Sequence, residues 1–159
     1  MKPNLNKVLI LESGGSHDEI LYSQFRFLKD SGFETHLIIR EEHLERARTP
    51  READFVISLA RERGWRDRWK NLLTIRKYLR VKNINYLVIN TCQGAFIRDL
   101  SLLLPRGINI TGISHNPQKL NRSFNQKIIN RKVKKYLVLS ENILNNVQTM
   151  NPGLSLKAF

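Results

Sequence analysis

All nine residues best suited to chemistry sit in short polar turns. They are Gly14, Gly15, Ser16 and His17; Thr91; Asn116 beside His115; and Ser140 with Glu141. His115 is the strongest single candidate, because an imidazole in a polar turn can hydrogen-bond a hydroxyl or a phosphate. His17 lies in the glycine turn and can reach the same crevice. The pair Gly14-Gly15 lets a ligand approach the backbone, or simply makes a tight turn. Ser16 and Asp18 are good helix N-caps, and Glu19 stands three residues after Ser16 as in a capping box. A helix start at that point offers N–H groups and a partial positive charge to an anion.

Several chemistries find no support. The glycine turn is not G-x-G-x-x-G and no G-K-[ST] follows it, so the dinucleotide and P-loop fingerprints are missing. There is no G-x-S-x-G. No His, Asp or Glu spacing suggests a metal. Cys92 is the sole cysteine, which excludes an internal disulfide and a cysteine-based zinc site. It lies at a strand-to-helix turn without an adjacent base, as expected of a structural thiol rather than a nucleophile. His36 falls in a strand and His43 on a charged helix.

The elements that must position these turns alternate along the chain. Val8–Leu11 is a continuous apolar run, the pattern of a central strand covered on both faces. Ile20, Leu21, Phe25 and Leu28 repeat at helical spacing, and Gly32 closes that helix. Strands follow at Glu34–Arg40, Asp54–Leu59, Ile84–Asn90, Ile108–Ser114 and Lys135–Ser140, with an extended piece from Leu154. Helices are expected at Glu41–Arg48, around Trp65–Arg80, from Phe96 to Leu104 where Pro105 stops it, over 118–131 with Leu120, Phe124, Ile128 and Ile129 inward, and at Glu141–Met150. This alternation predicts an α/β fold: a three-layer Rossmann-like domain with a mostly parallel sheet and helices on both faces. Residues 1–159 make one such domain. Ligands of these sheets sit beyond the carboxyl ends of the strands, where strand order reverses, and all four candidate turns reach that edge.

Charge is uneven. The net charge is +13, and residues 68–159 hold 16 Lys/Arg against only Asp99 and Glu141. Such a field suggests an anionic partner: a membrane surface, nucleic acid or a phosphorylated substrate. Trp65, Trp69, Leu72, Leu73, Ile75 and Leu79 form one apolar stripe on a basic helix, which is expected to pack on the sheet with Trp69 buried. Nucleic acid ranks below membrane, for want of aromatic stacking platforms among the basic residues. No apolar run approaches the roughly 20 residues that span a bilayer, and the start MKPNLNKV lacks a signal-peptide core. These features make the cytoplasm the expected compartment, with the inner membrane face as a site of contact.

The order of segments resembles the N-terminal domain of glycosyltransferases of the GT-B fold, the family 4-like group in particular. The resemblance runs through Val8–Leu11, Gly14-Gly15, Gly32-Phe33-Glu34-Thr35, Asn85–Asn90, Gly112-Ile113-Ser114-His115-Asn116 and Tyr136–Glu141. It implies an acceptor-side domain of an enzyme that moves a sugar from a nucleotide-sugar donor to a glycan or lipid-linked acceptor, without a metal or other cofactor. It also implies roles: Gly14 and Gly15 near the donor phosphates, His115 lining the transfer crevice, and Ser140 and Glu141 as its serine-acid step. Asn90 departs from the histidine common at that point, and Phe33 from the histidine after Gly32. A C-terminal donor-binding domain or separate subunit would then be required, and residues 1–159 alone would be inactive. The alternatives are a stand-alone basic Rossmann-like module that docks on membrane, nucleic acid or protein, and a small flavodoxin-like nucleotide binder.

Overall fold

The computed structural model describes residues 6–14, 18–44, 52–114, 124–133, 135–138, 144–145 and 155–158. Among these residues seven strands form one sheet in the order β3-β2-β1-β4-β5-β6-β7, with every pairing parallel. The strands are β1 (Lys7–Glu12), β2 (Glu34–Arg40), β3 (Phe55–Leu59), β4 (Tyr86–Asn90), β5 (Asn109–Ser114), β6 (Lys135–Val138) and β7 (Ser155–Ala158). The helices are α1 (Asp18–Asp30), α2 (Glu41–Leu44), α3 (Trp65–Val81), α4 (Gly94–Leu103) and α5 (Phe124–Asn130). No helix among the described residues is long and apolar enough to cross a membrane.

The apolar runs are continuous because both faces of the sheet are covered. Leu9 and Leu11 of β1 join Leu87 and Ile89 of β4 in a large cluster with α3, α4 and α5. Ile10 points the other way, with Leu37 and Ile39, onto Leu21 and Phe25 of α1. One residue of slip in β1 would exchange these faces, so the two helix layers fix its register. Helix α4 ends where Leu104 turns to extended backbone before Pro105, the conformation proline imposes on its predecessor.

Two helices differ from expectation. On α3 the inner face is Asn71, Leu72, Ile75 and Leu79, while Trp65, Trp69 and Leu73 are exposed. Those three repeat every fourth residue along a separate line, so the single stripe is two. The Asn71 amide takes an inner place by donating to the Ala60 carbonyl at 2.8 Å. On α5, Phe124 is exposed and Gln126 is buried in its stead, for a reason given below.

His36 is fully buried on β2. Its Nδ1 lies 2.7 Å from the Tyr78 hydroxyl and its Nε2 2.8 Å from Glu34, and its ring stacks on Phe55. A neutral ring protonated on Nε2 satisfies both bonds. Burial holds its pKa below the usual 6.5, against the pull of Glu34. The unfolded chain therefore binds a proton here that the folded chain refuses, and stability falls as pH drops below the unfolded value. Between about pH 7 and about pH 5 the melting temperature should fall more steeply for the parent than for His36→Gln. Equal slopes in paired thermal melts would show that His36 does not govern this window.

Candidate active-site crevice

Strands β1 and β4 are neighbours, yet the chain leaves them toward opposite faces, to α1 and to α4. Strand order therefore reverses between them, and the candidate crevice is the space above their carboxyl ends, the usual ligand position of a doubly wound sheet. Ser13 and Gly14 leave β1 there, and Thr91 leaves β4.

A buried carboxylate organises the base. Glu12 is fully buried; its Oε1 accepts from the Gly14 N–H at 3.2 Å and its Oε2 from Asn90 Nδ2 at 3.0 Å. With its amide nitrogen committed, Asn90 presents Oδ1, which accepts from Gln24 Nε2 of α1 at 3.1 Å. The chain Gln24–Asn90–Glu12–Gly14 thus ties α1, β4 and β1 together under the crevice.

Thr91 is held in the left-handed region, with φ of 56°, which is uncommon for a β-branched residue. A Cβ on Gly14 would come within 2.8 Å of the Thr91 side chain, so this glycine lets the two turns touch. The Thr91 Oγ1 is buried with no hydrogen-bond partner among the described residues. Beside it, Gln93 is the N-cap of α4 and makes no side-chain cap bond. Backbone strain of this kind gathers at ligand sites, and an uncapped helix start with a spare hydroxyl suits an anionic oxygen. At the end of β2, Arg40 lies over the Phe96 ring in the first turn of α4, 5.7 Å from its centroid.

The turn after β4 is braced from below. Gln126 Nε2 donates to the Tyr136 hydroxyl at 3.0 Å, and that hydroxyl donates to Asn130 at 2.6 Å. The Cys92 N–H donates to the Ile113 carbonyl, fixing the β4 turn to β5. This bonding explains why a glutamine rather than Phe124 faces inward on α5. Cys92 is wholly buried, and burial pushes its thiol up to about 12. A thiol so placed is inert, as expected of a structural cysteine.

Of the nine sequence-derived site residues, Gly14 and Thr91 fall within the described structure and meet at the crevice. Gly15, Ser16, His17, His115, Asn116, Ser140 and Glu141 lie outside the described residues. Ser114, which precedes His115, ends β5. Sequence reasoning missed Glu12 and Gln24. The available signal for Glu12 was an acid directly after a buried four-residue apolar run.

No family model matches this chain, and no curated protein matches it in sequence. Solved structures do. MurG of Acinetobacter baumannii superposes with a TM-score of 0.66 at 12% identity, over 96% of this chain and 45% of that one. UDP-N-acetylglucosamine 2-epimerase of Rickettsia bellii gives 0.64 at 15% identity, over 97% and 44%. The UDP-GlcNAc 2-epimerase of Methanocaldococcus jannaschii gives 0.62 at 15%, over 90% and 42%. The chain spans less than half the length of these proteins. At such identity the likeness is one of fold, and the fold is the Rossmann-like α/β unit of GT-B proteins.

Proposed function

We propose that this chain is the acceptor-side domain of a glycosyltransferase, with the β1/β4 crevice turned toward a nucleotide sugar. The observation that carries the reading is the switch point itself, where an uncapped helix start and a spare threonine hydroxyl meet on a fold shared with UDP-GlcNAc 2-epimerases. The Gly14 N–H already serves Glu12, so donor phosphate oxygens fall to the first turn of α4, to Thr91 and to Gly15, Ser16 and His17. His115 positions the sugar or the leaving phosphate, with Asn116, Ser140 and Glu141 as further contacts. Backbone N–H groups, rather than a metal, stabilise the charge that develops. A second domain or separate subunit supplies the rest of the donor site.

The test is a titration of the isotopically labelled protein with UDP-GlcNAc, followed by amide resonances. Half a site should bind weakly, with Kd about 1 mM. The amides of Gly14 and of Thr91–Gly94 should move, and Thr91→Ala should weaken the response severalfold. No sugar transfer should accompany binding. Shifts confined to the opposite edge, around Asn83–Asn85 and Arg106, would exclude the crevice. Turnover by residues 1–159 alone would overturn the two-part architecture.

A further inference from the structure

We infer that the outer face of α3 docks on an anionic lipid bilayer. The helix has two apolar lines. One, Leu72, Ile75 and Leu79, is spent on the core. The other, Trp65, Trp69 and Leu73, stands in solvent at 69%, 43% and 52% exposure. Arg66, Lys70 and Lys77 border it and share one shallow groove with it. Arg80 and Val81 continue the same face and are exposed.

The helix cannot roll to hide its tryptophans. Leu72, Ile75 and Leu79 are locked into the main core, and Arg68 pairs with Asp99 of α4. The six Arg/Lys of α3 are opposed by one acid, Asp67, and that carboxylate accepts from the Arg63 N–H.

The composition selects the occupant. Protein interfaces use tryptophan and arginine but are depleted in lysine. Helices that lie in the bilayer interface combine tryptophan and leucine with both lysine and arginine. Indole rings settle at headgroup depth, ring toward the acyl chains and N–H toward water. The flanking cations then meet lipid phosphates, each strengthening binding about fivefold. Helix α3 starts just beyond the carboxyl end of β3, so Trp65 stands at the same edge of the sheet as the crevice. Docking there would set that edge beside the membrane, whatever the crevice binds.

The molecule carries its own probe, since Trp65 and Trp69 are its only tryptophans. In buffer the emission should be red-shifted, as for indoles in water. Vesicles of equal parts phosphatidylcholine and phosphatidylglycerol should shift it to the blue at low salt, and brominated lipid should quench it. Pure phosphatidylcholine should do much less. In flotation, the triple variant Arg66→Gln, Lys70→Gln, Lys77→Gln should bind anionic vesicles about 100-fold more weakly. Trp65→Ser with Trp69→Ser should also weaken binding, and all five positions are exposed enough to spare the fold, which far-ultraviolet dichroism checks. Flotation without a blue shift would mean that charge alone holds the protein, and would overturn the proposal. So would no flotation at low salt. A blue-shifted emission in buffer together with a dimer in sedimentation would assign the face to a second copy. Loss of duplex DNA binding in the tryptophan variant, with flotation intact, would assign it to nucleic acid.

Discussion

Glu12→Ala is expected to lower the unfolding free energy by about 3 kcal/mol, because it strips the partner from the buried Asn90 amide and from the part-buried Gly14 N–H. The fully buried Asn90 amide would face a void where the carboxylate stood, and the Gly14 N–H would lose its acceptor. With Asn90 freed, the bond from Gln24 loosens, so α1 loses its polar tie to β4. For a chain of this length the melting temperature should drop by about 10 °C. Glu12→Gln separates charge from shape. Its carbonyl can still accept from one donor, but its amide meets the other donor head-on. An intermediate loss of about 1.5 kcal/mol is expected for it. Chemical denaturation checks both, and an alanine variant within 0.5 kcal/mol of the parent would show that the network contributes nothing net.

Gly112→Val should be as damaging for the opposite reason. A Cβ at this position of β5 would lie 2.7 Å from the Tyr136 ring and 2.8 Å from Cys92 Sγ. Neither neighbour can yield cheaply. Tyr136 is held by Gln126 and Asn130, and Cys92 sits in the turn whose N–H is tied to β5. Overpacking of this kind costs about 3 kcal/mol. A double-mutant cycle locates the strain: Cys92→Ala should recover part of the loss caused by Gly112→Ala, since it removes Sγ at 2.8 Å while leaving the Cys92 Cβ at 2.9 Å. Strict additivity in urea denaturation would mean that the Cys92 sulfur is not the obstacle.

The sheet was legible because its signals are local and repeated. Val8–Leu11, Leu37–Ile39 and Leu87–Ile89 are apolar runs that only a doubly covered strand can bury, and helical spacing separates them. The α3 tryptophans were misread because periodicity reports that residues share a helix, not which side meets the sheet. Spacing of three and four joins Trp69 to Leu72 and to Leu73 alike, and only the packing of Leu72 against α4 and the sheet separates the two lines. Polar bonding was harder to foresee. Nothing adjacent to Glu12 in sequence announces that Asn90, across the switch point, will meet it. Gly14 was read as room for a ligand or a tight turn; part of that room is filled by Thr91, whose left-handed backbone is invisible in a residue name.

The strand order also sets a schedule for synthesis. β2 can join β1 as soon as α1 has formed, but β4, which closes the other edge of β1, leaves the ribosome only after β3 and the whole of α3. In that interval Leu9 and Leu11 lack the helices that cover them, and β1 presents an unpaired apolar edge. Such an edge is a template for other nascent chains. A pause in translation before β4 is therefore the moment at which this protein most needs a chaperone.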